Sequence, residues 1–391
     1  MMNLKLPVSG GRILDRITSM RLSVWLLAFF AVAGSWTATP AMCAFGQAPQ
    51  DPGQAAQKGL ELFYNLDYDD AIAVFEKLRH AEPTNPAWHN HLAMTYFYKA
   101  LYVAGVLQGD LFSASNRFFN KKAEFDPALK QRFQQANEAA VRLCEQRLKK
   151  NGKAQEALYA CGVAYATRAT FLGLIERSKL GFVGSANKAN DFHSRLLQLN
   201  SRYYDAYLVP GIYDFVLGSL PAPLKFLLYF AGLSGDKERG LKAVQSAAQW
   251  GEYAREDAKI VLTVIYRREK RYDDARRTLR DLAALFPRNY LLPLEIASLY
   301  RASEDFEAAI RQYETVLEDT RGGKPGYQDV PIARIHFELG GLYRKVGELE
   351  PARKHLSQVF GSKGSTPELE KESALLQQQV EEAIRQRKQS T

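Results

Sequence analysis

The 391-residue sequence predicts an all-α fold in which antiparallel helical hairpins stack side by side. Three observations carry this prediction. Apolar residues recur at three and four positions rather than at two, which is the helical and not the strand period. One 34-residue pattern is written twice in succession between Glu256 and Gly323. A third copy follows at an offset of 43, so the pattern survives an insertion between units.

The first copy consists of Leu262, Tyr266, Ala275, Leu279 and Pro287. The second has Ile296, Tyr300, Ala309 and Tyr313 at the matching places, with Arg321 standing where the proline would be. The third has Leu339, Gly340, Tyr343, Ala352 and Leu356, and its nine extra residues fit the loop-like run Arg321 to Gly326. Earlier in the chain, Gly59, Leu62, Ala71, Phe75 and Pro83 repeat the same spacing, followed by Leu92, Ala93 and Tyr96 at the start of a successor. That successor then degenerates. Its first helix is expected to run on through Tyr98, Leu101 and Val106, with Gly105 where the small residue of a second helix belongs.

This order resembles the tetratricopeptide repeat family, on the evidence of Gly340, Tyr343, Ala352 and the spacing from Ala275 to Pro287. The resemblance implies hairpins that cannot stand alone and stack into a right-handed superhelix (an α-solenoid) with a concave groove. It implies a non-enzymatic protein–protein interaction scaffold, binding a peptide or partner protein in that groove.

In chain order, residues 1–46 read as a targeting segment. A basic region extends to Arg21, the apolar run Leu22 to Gly34 follows, and Ala44 and Gly46 offer small side chains for cleavage before Gln47. The run would span only about 20 Å as a helix against roughly 30 Å of hydrocarbon, which favours a cleaved signal over an uncleaved N-terminal membrane anchor. A lipid-modified Cys43 ranks third, because Met42 is not small. The expected location is periplasmic or envelope-associated.

The remaining organisation reads as N-terminal repeats over 47–106, a divergent helical middle over 107–251, C-terminal repeats over 252–363, and a capping helix with tail over 364–391. In the middle, helices are expected near 187–198, 203–217 and 237–249, separated at Pro210-Gly211, Pro221 to Pro223 and Gly232 to Gly240. Leu224 to Leu233 is the most apolar stretch after the leader. Buried packing is its ordinary reading, and contact with a membrane surface or partner helix the sharper one. Aromatic residues crowd 88–119, where Trp88, Tyr96, Phe97 and Tyr102 stand with Phe112, Phe118 and Phe119. They could line a pocket for a hydrophobic ligand, but residues of this kind at helical spacing are more often packing. Thr366-Pro367 opens the last helix, with Thr366 as its cap.

Formal net charge is +9, of which +3 falls at the extreme N-terminus, and acidic residues are interspersed through the rest. Nucleic acid is therefore not the expected partner. Export places Cys144 and Cys161 in an oxidising compartment on two helices that meet about Asn151-Gly152. A disulfide is feasible; two reduced core cysteines are the alternative.

No phosphate-binding Gly-rich loop and no serine elbow is present. His89 and His91 lie two apart on a helix and point about 200° apart, so they cannot share a metal. Asp69-Asp70 and Asp273-Asp274 precede the small residue of a second helix and read as helix-start charges. No catalytic group, cofactor or metal is expected.

The functional signal is a ladder. Arg267, Arg301 and Arg344 each follow the repeat tyrosine, and Arg268 and Lys345 extend two of the rungs. In the resembled family that place looks into the groove, where guanidinium groups would suit an acidic peptide or a chain-end carboxylate. The competing reading is a cation in the last turn of a helix, complementing its dipole.

Overall fold

The computed structural model describes residues 51–107, 124–230 and 233–389. Among these residues every regular element is a helix. The helices are α1 (Pro52–Tyr64), α2 (Tyr68–Ala81), α3 (Pro86–Val103), α4 (Pro127–Lys150), α5 (Gln155–Leu174), α6 (Lys179–Leu199), α7 (Leu208–Gly218), α8 (Ala222–Phe230), α9 (Lys237–Trp250), α10 (Arg255–Arg268), α11 (Tyr272–Leu285), α12 (Leu291–Ala302), α13 (Phe306–Arg321), α14 (Ile332–Lys345), α15 (Leu349–Ser357) and α16 (Pro367–Gln389). The expected all-α fold of tetratricopeptide-like hairpins is what the chain adopts. The leader segment and Phe112, Phe118 and Phe119 lie outside the described residues.

The described chain forms two compact units. One contains residues 79–100 and 124–261, the other residues 51–78, 101–107 and 262–389.

The first unit is built around α5. Its residues from Ala157 to Thr167 are buried without interruption, so this helix is apolar on all sides rather than along one stripe. Three neighbours donate hydrogen bonds into its backbone carbonyls: Asn90 Nδ2 to Ala160, Asn137 Nδ2 to Ala164, and His193 Nε2 to Tyr159, at 2.9, 2.8 and 3.2 Å. Each fixes the register of one helix, α3, α4 or α6, against the centre. Gly162 is required here, since a Cβ would sit 1.9 Å from the His193 ring. Phe133 and Phe171 stack at 4.0 Å between centroids, with Phe97 beside both.

Two expectations for this stretch are corrected. Residues 203–217 form not one helix but a 3₁₀ turn (Tyr204–Tyr207) followed by α7, and Pro210 lies in the first turn of α7, where a missing N–H costs nothing. The turn serves α10, because buried Asp205 accepts from the Tyr253 and Ala254 amides at 2.8 Å each and caps that helix from 50 residues away or nearly so. Likewise α3 stops at Val103, and Gly105 is not part of a second helix. With φ +68° it closes the end of α3, where Val106 N–H donates to the Leu101 carbonyl.

The second unit carries the repeats. In α10–α11, α12–α13 and α14–α15 the small residues Ala275, Ala309 and Ala352 are fully buried. Sixteen positions separate Gly59 from Phe75 and Gly340 from Leu356, and a Cβ on either glycine would lie 2.5–2.6 Å from that side chain. The turns between paired helices are equally repetitive. Leu66, Lys270, Glu304 and Gly347 all adopt positive φ (69°, 58°, 62° and 83°), each one residue before the N–H that reaches back to close the preceding helix. Thr366 Oγ1 accepts from Leu369 N–H and caps α16 as expected.

Candidate functional site

The arginine ladder maps onto the last turns of α10, α12 and α14, the first helices of the three C-terminal hairpins. Arg267 and Arg301 point to the first helix of the following unit, and Arg344 to the terminal helix α16. Arg267 meets Glu295 Oε2 at 3.0 Å and Ser298 Oγ at 3.0 Å. Arg301 meets Glu338 Oε2 at 2.6 Å, and the other oxygen of Glu338 holds Arg334 at 2.6 Å. Arg344 donates to Gln379 Oε1 on α16 at 2.9 Å. The partner spacing grows by nine from the first rung to the second, following the insertion between the units.

These rungs are not equivalent. Arg267 and Glu295 are only 14 % and 13 % exposed, so the first rung is a largely desolvated ion pair within the stack. The second is half-buried on the arginine side and buried at Glu338. The third is exposed and ends on a neutral amide. Beside it the Lys345 ammonium lies over the Phe306 ring, 4.6 Å from its centroid, and Arg268 is exposed at the far end. The sequence pattern puts Arg267, Arg301 and Arg344 on one repeated position with Arg268 and Lys345 one step further, and two of the three arginines are turned inward onto carboxylates that periodicity alone did not single out. Glu295 and Glu338 occupy matching places in consecutive units, and that recurrence was the available signal.

A pairing that sequence reasoning missed lies one unit further. His336 and His355, 19 residues apart, bring their Nδ1 atoms to 2.9 Å. Tyr343 stacks on His355 at 5.4 Å and donates its hydroxyl to Glu314. Burial is the main cause that holds both imidazoles down to about 4, with the Arg321 charge adding to it. Both rings are therefore neutral near pH 7, one donating and the other accepting. His355, Tyr343, Glu314, Lys354, Gln377 and Glu381 border an open groove of about 850 Å³. No group of three potential metal ligands occurs among the described residues.

Cys144 and Cys161 form a disulfide, with Cα atoms 5.5 Å apart and both side chains fully buried. It joins α4 to α5, next to the carbonyls that receive Asn137 and Asn90. Within the apolar stretch 224–233, two of the described side chains on α8 stand out from the packing expected of such a run, Phe226 at 67 % and Tyr229 at 69 % exposed. Among the aromatic residues of 88–119, Trp88, Tyr96 and Phe97 are buried and form core packing. No described helix is long and apolar enough to cross a membrane.

Comparison with known proteins agrees with the repeat reading. The sequence model of the tetratricopeptide repeat matches residues 57–99 and 294–359, which cover most of α1–α3 and all but the start of α12–α15. No curated protein matches the chain. Among solved structures, a tetratricopeptide repeat protein from Parabacteroides merdae is 15 % identical, covers 84 % of this chain and 98 % of its own, and has a TM-score of 0.33. PilW, described as a widely conserved type IV pilus biogenesis factor, is 13 % identical over 83 % of this chain and 99 % of its own, with a TM-score of 0.29. Yeast Tom70 is 14 % identical over 86 % of this chain and 90 % of its own, with a TM-score of 0.27.

Proposed function

We propose that this chain, a tetratricopeptide-repeat protein, is an exported, non-enzymatic scaffold that holds a peptide or protein partner in its groove within a cell-envelope assembly. The observation that carries the reading is the row of rungs from α10 to α16. Each guanidinium bonds to the next unit, so the first helices are locked side by side into a wall whose geometry is set before any partner arrives. Such preorganisation reduces the ordering cost of binding. The basic-then-apolar leader and the buried Cys144–Cys161 disulfide support export, since disulfides persist in oxidising compartments.

The acidic character of the partner follows from fewer residues than the sequence pattern offers. Arg267 and Arg301 already face Glu295 and Glu338, so the cations at the exposed end of the row that are placed to meet a carboxylate are Arg344 and Lys345. A pull-down from envelope extracts tests this. The wild type and an Arg267→Ala/Arg301→Ala variant should recover the same proteins, whereas Arg344→Ala/Lys345→Ala should lose them, as should high salt. Equal recovery by all three baits sinks the acidic-partner reading. Recovery of nothing above an empty resin sinks the scaffold itself.

A second reading is favoured by α8. Its exposed Phe226 and Tyr229 suit an accessory or carrier role, with residues 224–233 lying against a membrane surface or a hydrophobic ligand. Vesicle co-sedimentation that persists in high salt and is abolished by Phe226→Ser/Tyr229→Ser would support it; salt-sensitive or absent binding would remove it.

A further inference from the structure

Hairpins in an array ordinarily touch the units next to them in sequence. In the unit formed by residues 51–78, 101–107 and 262–389, the first hairpin instead lies against the turn that joins α11 to α12. Arg288 N–H donates to Asn65 Oδ1 at 3.0 Å across a separation of 223 residues, and Asn289 Nδ2 donates to the Tyr64 carbonyl at 2.8 Å. The Arg288 guanidinium pairs with Asp67. Around this centre Tyr64 packs on Phe286 at 4.9 Å and Tyr102 lies between Tyr68 and Tyr290, its hydroxyl donating to Asp329 at 3.2 Å.

One residue gives the contact its direction. Of the four turns between paired repeat helices described above, three carry Lys270, Glu304 or Gly347 at the positive-φ place, residues that suit a solvent-facing bend. The fourth carries Leu66, a γ-branched apolar residue in a backbone region that disfavours it, and its side chain packs against the core of the C-terminal repeats with Tyr290, Tyr327 and Ile335. A leucine is held in a strained turn where its side chain acts as a knob for a distant surface. Tyrosine and arginine, which border the contact at Tyr290, Tyr327 and Arg288, are residue types enriched where separate partners meet.

We propose that the turns Phe286–Tyr290 and Tyr327–Asp329 form a docking surface for a helix-hairpin tip, and that the chain's own Asn65–Leu66–Asp67 turn occupies it as a latch. Released, the hairpin uncovers a tyrosine-lined edge of the repeats to other molecules. The seam is held by polar contacts, the inserted Leu66 side chain and a few aromatic contacts. At its ion pair, burial pushes the Asp67 carboxyl up while the Arg288 charge opposes that shift. The inference stands apart from the groove-binding reading, since it concerns the turn edge and not the arginine rungs.

Hydrogen exchange followed by mass spectrometry on the full chain tests it. Leu66→Gly leaves a residue that prefers the turn and removes the knob, and Arg288→Asp removes the ion pair. Each should speed exchange by about ten-fold or more in peptides over 60–70 and 286–292, with peptides over 155–166 unchanged. Adding Asp67→Arg to Arg288→Asp should restore protection. Wild-type exchange rates in Leu66→Gly, acceleration spread over every peptide, or a charge swap that restores nothing overturns the latch. Protection that rises with protein concentration, together with a dimer mass by light scattering, would assign the surface to the hairpin of a second copy and overturn the intramolecular form.

Discussion

The α5-centred unit and the C-terminal repeats solve one problem, fixing the register of packed helices, in opposite ways. Around α5 the solution is used once. Asn90, Asn137 and His193 each reach a different carbonyl, a disulfide clips α4 in place, and Gly162 makes room for one imidazole. In the repeats the solution is written down and copied, with a small residue against a large one, a left-handed turn residue, and an arginine that bonds to the next unit. The unique arrangement can satisfy polar groups in a wholly buried helix, but it leaves no periodic trace. The copied arrangement tolerates an insertion of nine residues because each rung depends only on its two neighbours.

The largest expected effect breaks the unique side of this comparison. Replacing Cys144 and Cys161 by Ser should destabilise the first unit by about 3 kcal/mol in the chain-entropy model, and the loss should show as faster hydrogen exchange over α4 and α5 with the repeats unaffected. Equal protection in both units would mean that the bond adds nothing to the α5 packing.

The rungs differ in burial and should differ in worth. Glu295→Ala leaves the largely buried Arg267 with Ser298 in place of a carboxylate and should cost about 2 kcal/mol, whereas Gln379→Ala at the exposed rung should change the melting transition by less than about 0.5 kcal/mol. A similar small loss at both rungs would make the ladder surface chemistry throughout.

Acid should separate the units. His193, His336 and His355 are all held down to about 4, below the ordinary histidine value, with burial as the first cause. The unfolded chain therefore binds more protons than the folded one between about 6.5 and 4, so stability is complete above that window and falls as pH drops through it. Two of the three rings face each other in the repeats, next to Arg321 and Lys354. Exchange over α14 and α15 should accelerate first on acidification, and His336→Asn/His355→Asn should flatten that response. A response that appears first over α5 and α6 would reverse the assignment.

The smallest effect sharpens the repeated side. Lys270→Gly and Glu304→Gly relieve a positive-φ backbone and should each stabilise by roughly 0.5–1 kcal/mol, read from the denaturation midpoint. Leu66→Gly at the matching place should have the opposite sign, because there the half-buried side chain packs against the repeats.

Much of the fold was legible because its determinants are local. The 34-residue spacing, the alanines at 275, 309 and 352, the cap at Thr366, and the closeness of Cys144 to Cys161 across Asn151-Gly152 all follow from helical geometry over one or two turns of chain. The candidate site was half legible. Repetition placed Arg267, Arg301 and Arg344 on one position, but whether a guanidinium faces a partner or a neighbouring helix depends on what the next unit presents. The exposure of Phe226 and Tyr229 was hidden for a related reason: an apolar run predicts burial only if another element arrives to cover it.

The sequence by itself determined the helical class, the hairpin unit, its period and the places where helices approach closely, since these rest on side-chain size and backbone preference within a few dozen residues. Only the tertiary structure decided which carboxylates neutralise the arginines, that His336 meets His355, and that the turn at Leu66 docks on residues more than 200 positions away. The physical reason is the range of the interaction. Helical periodicity and capping are settled by neighbours along the chain, whereas a charge, an imidazole or an inserted leucine takes its role from whatever the folded chain brings within a few ångströms.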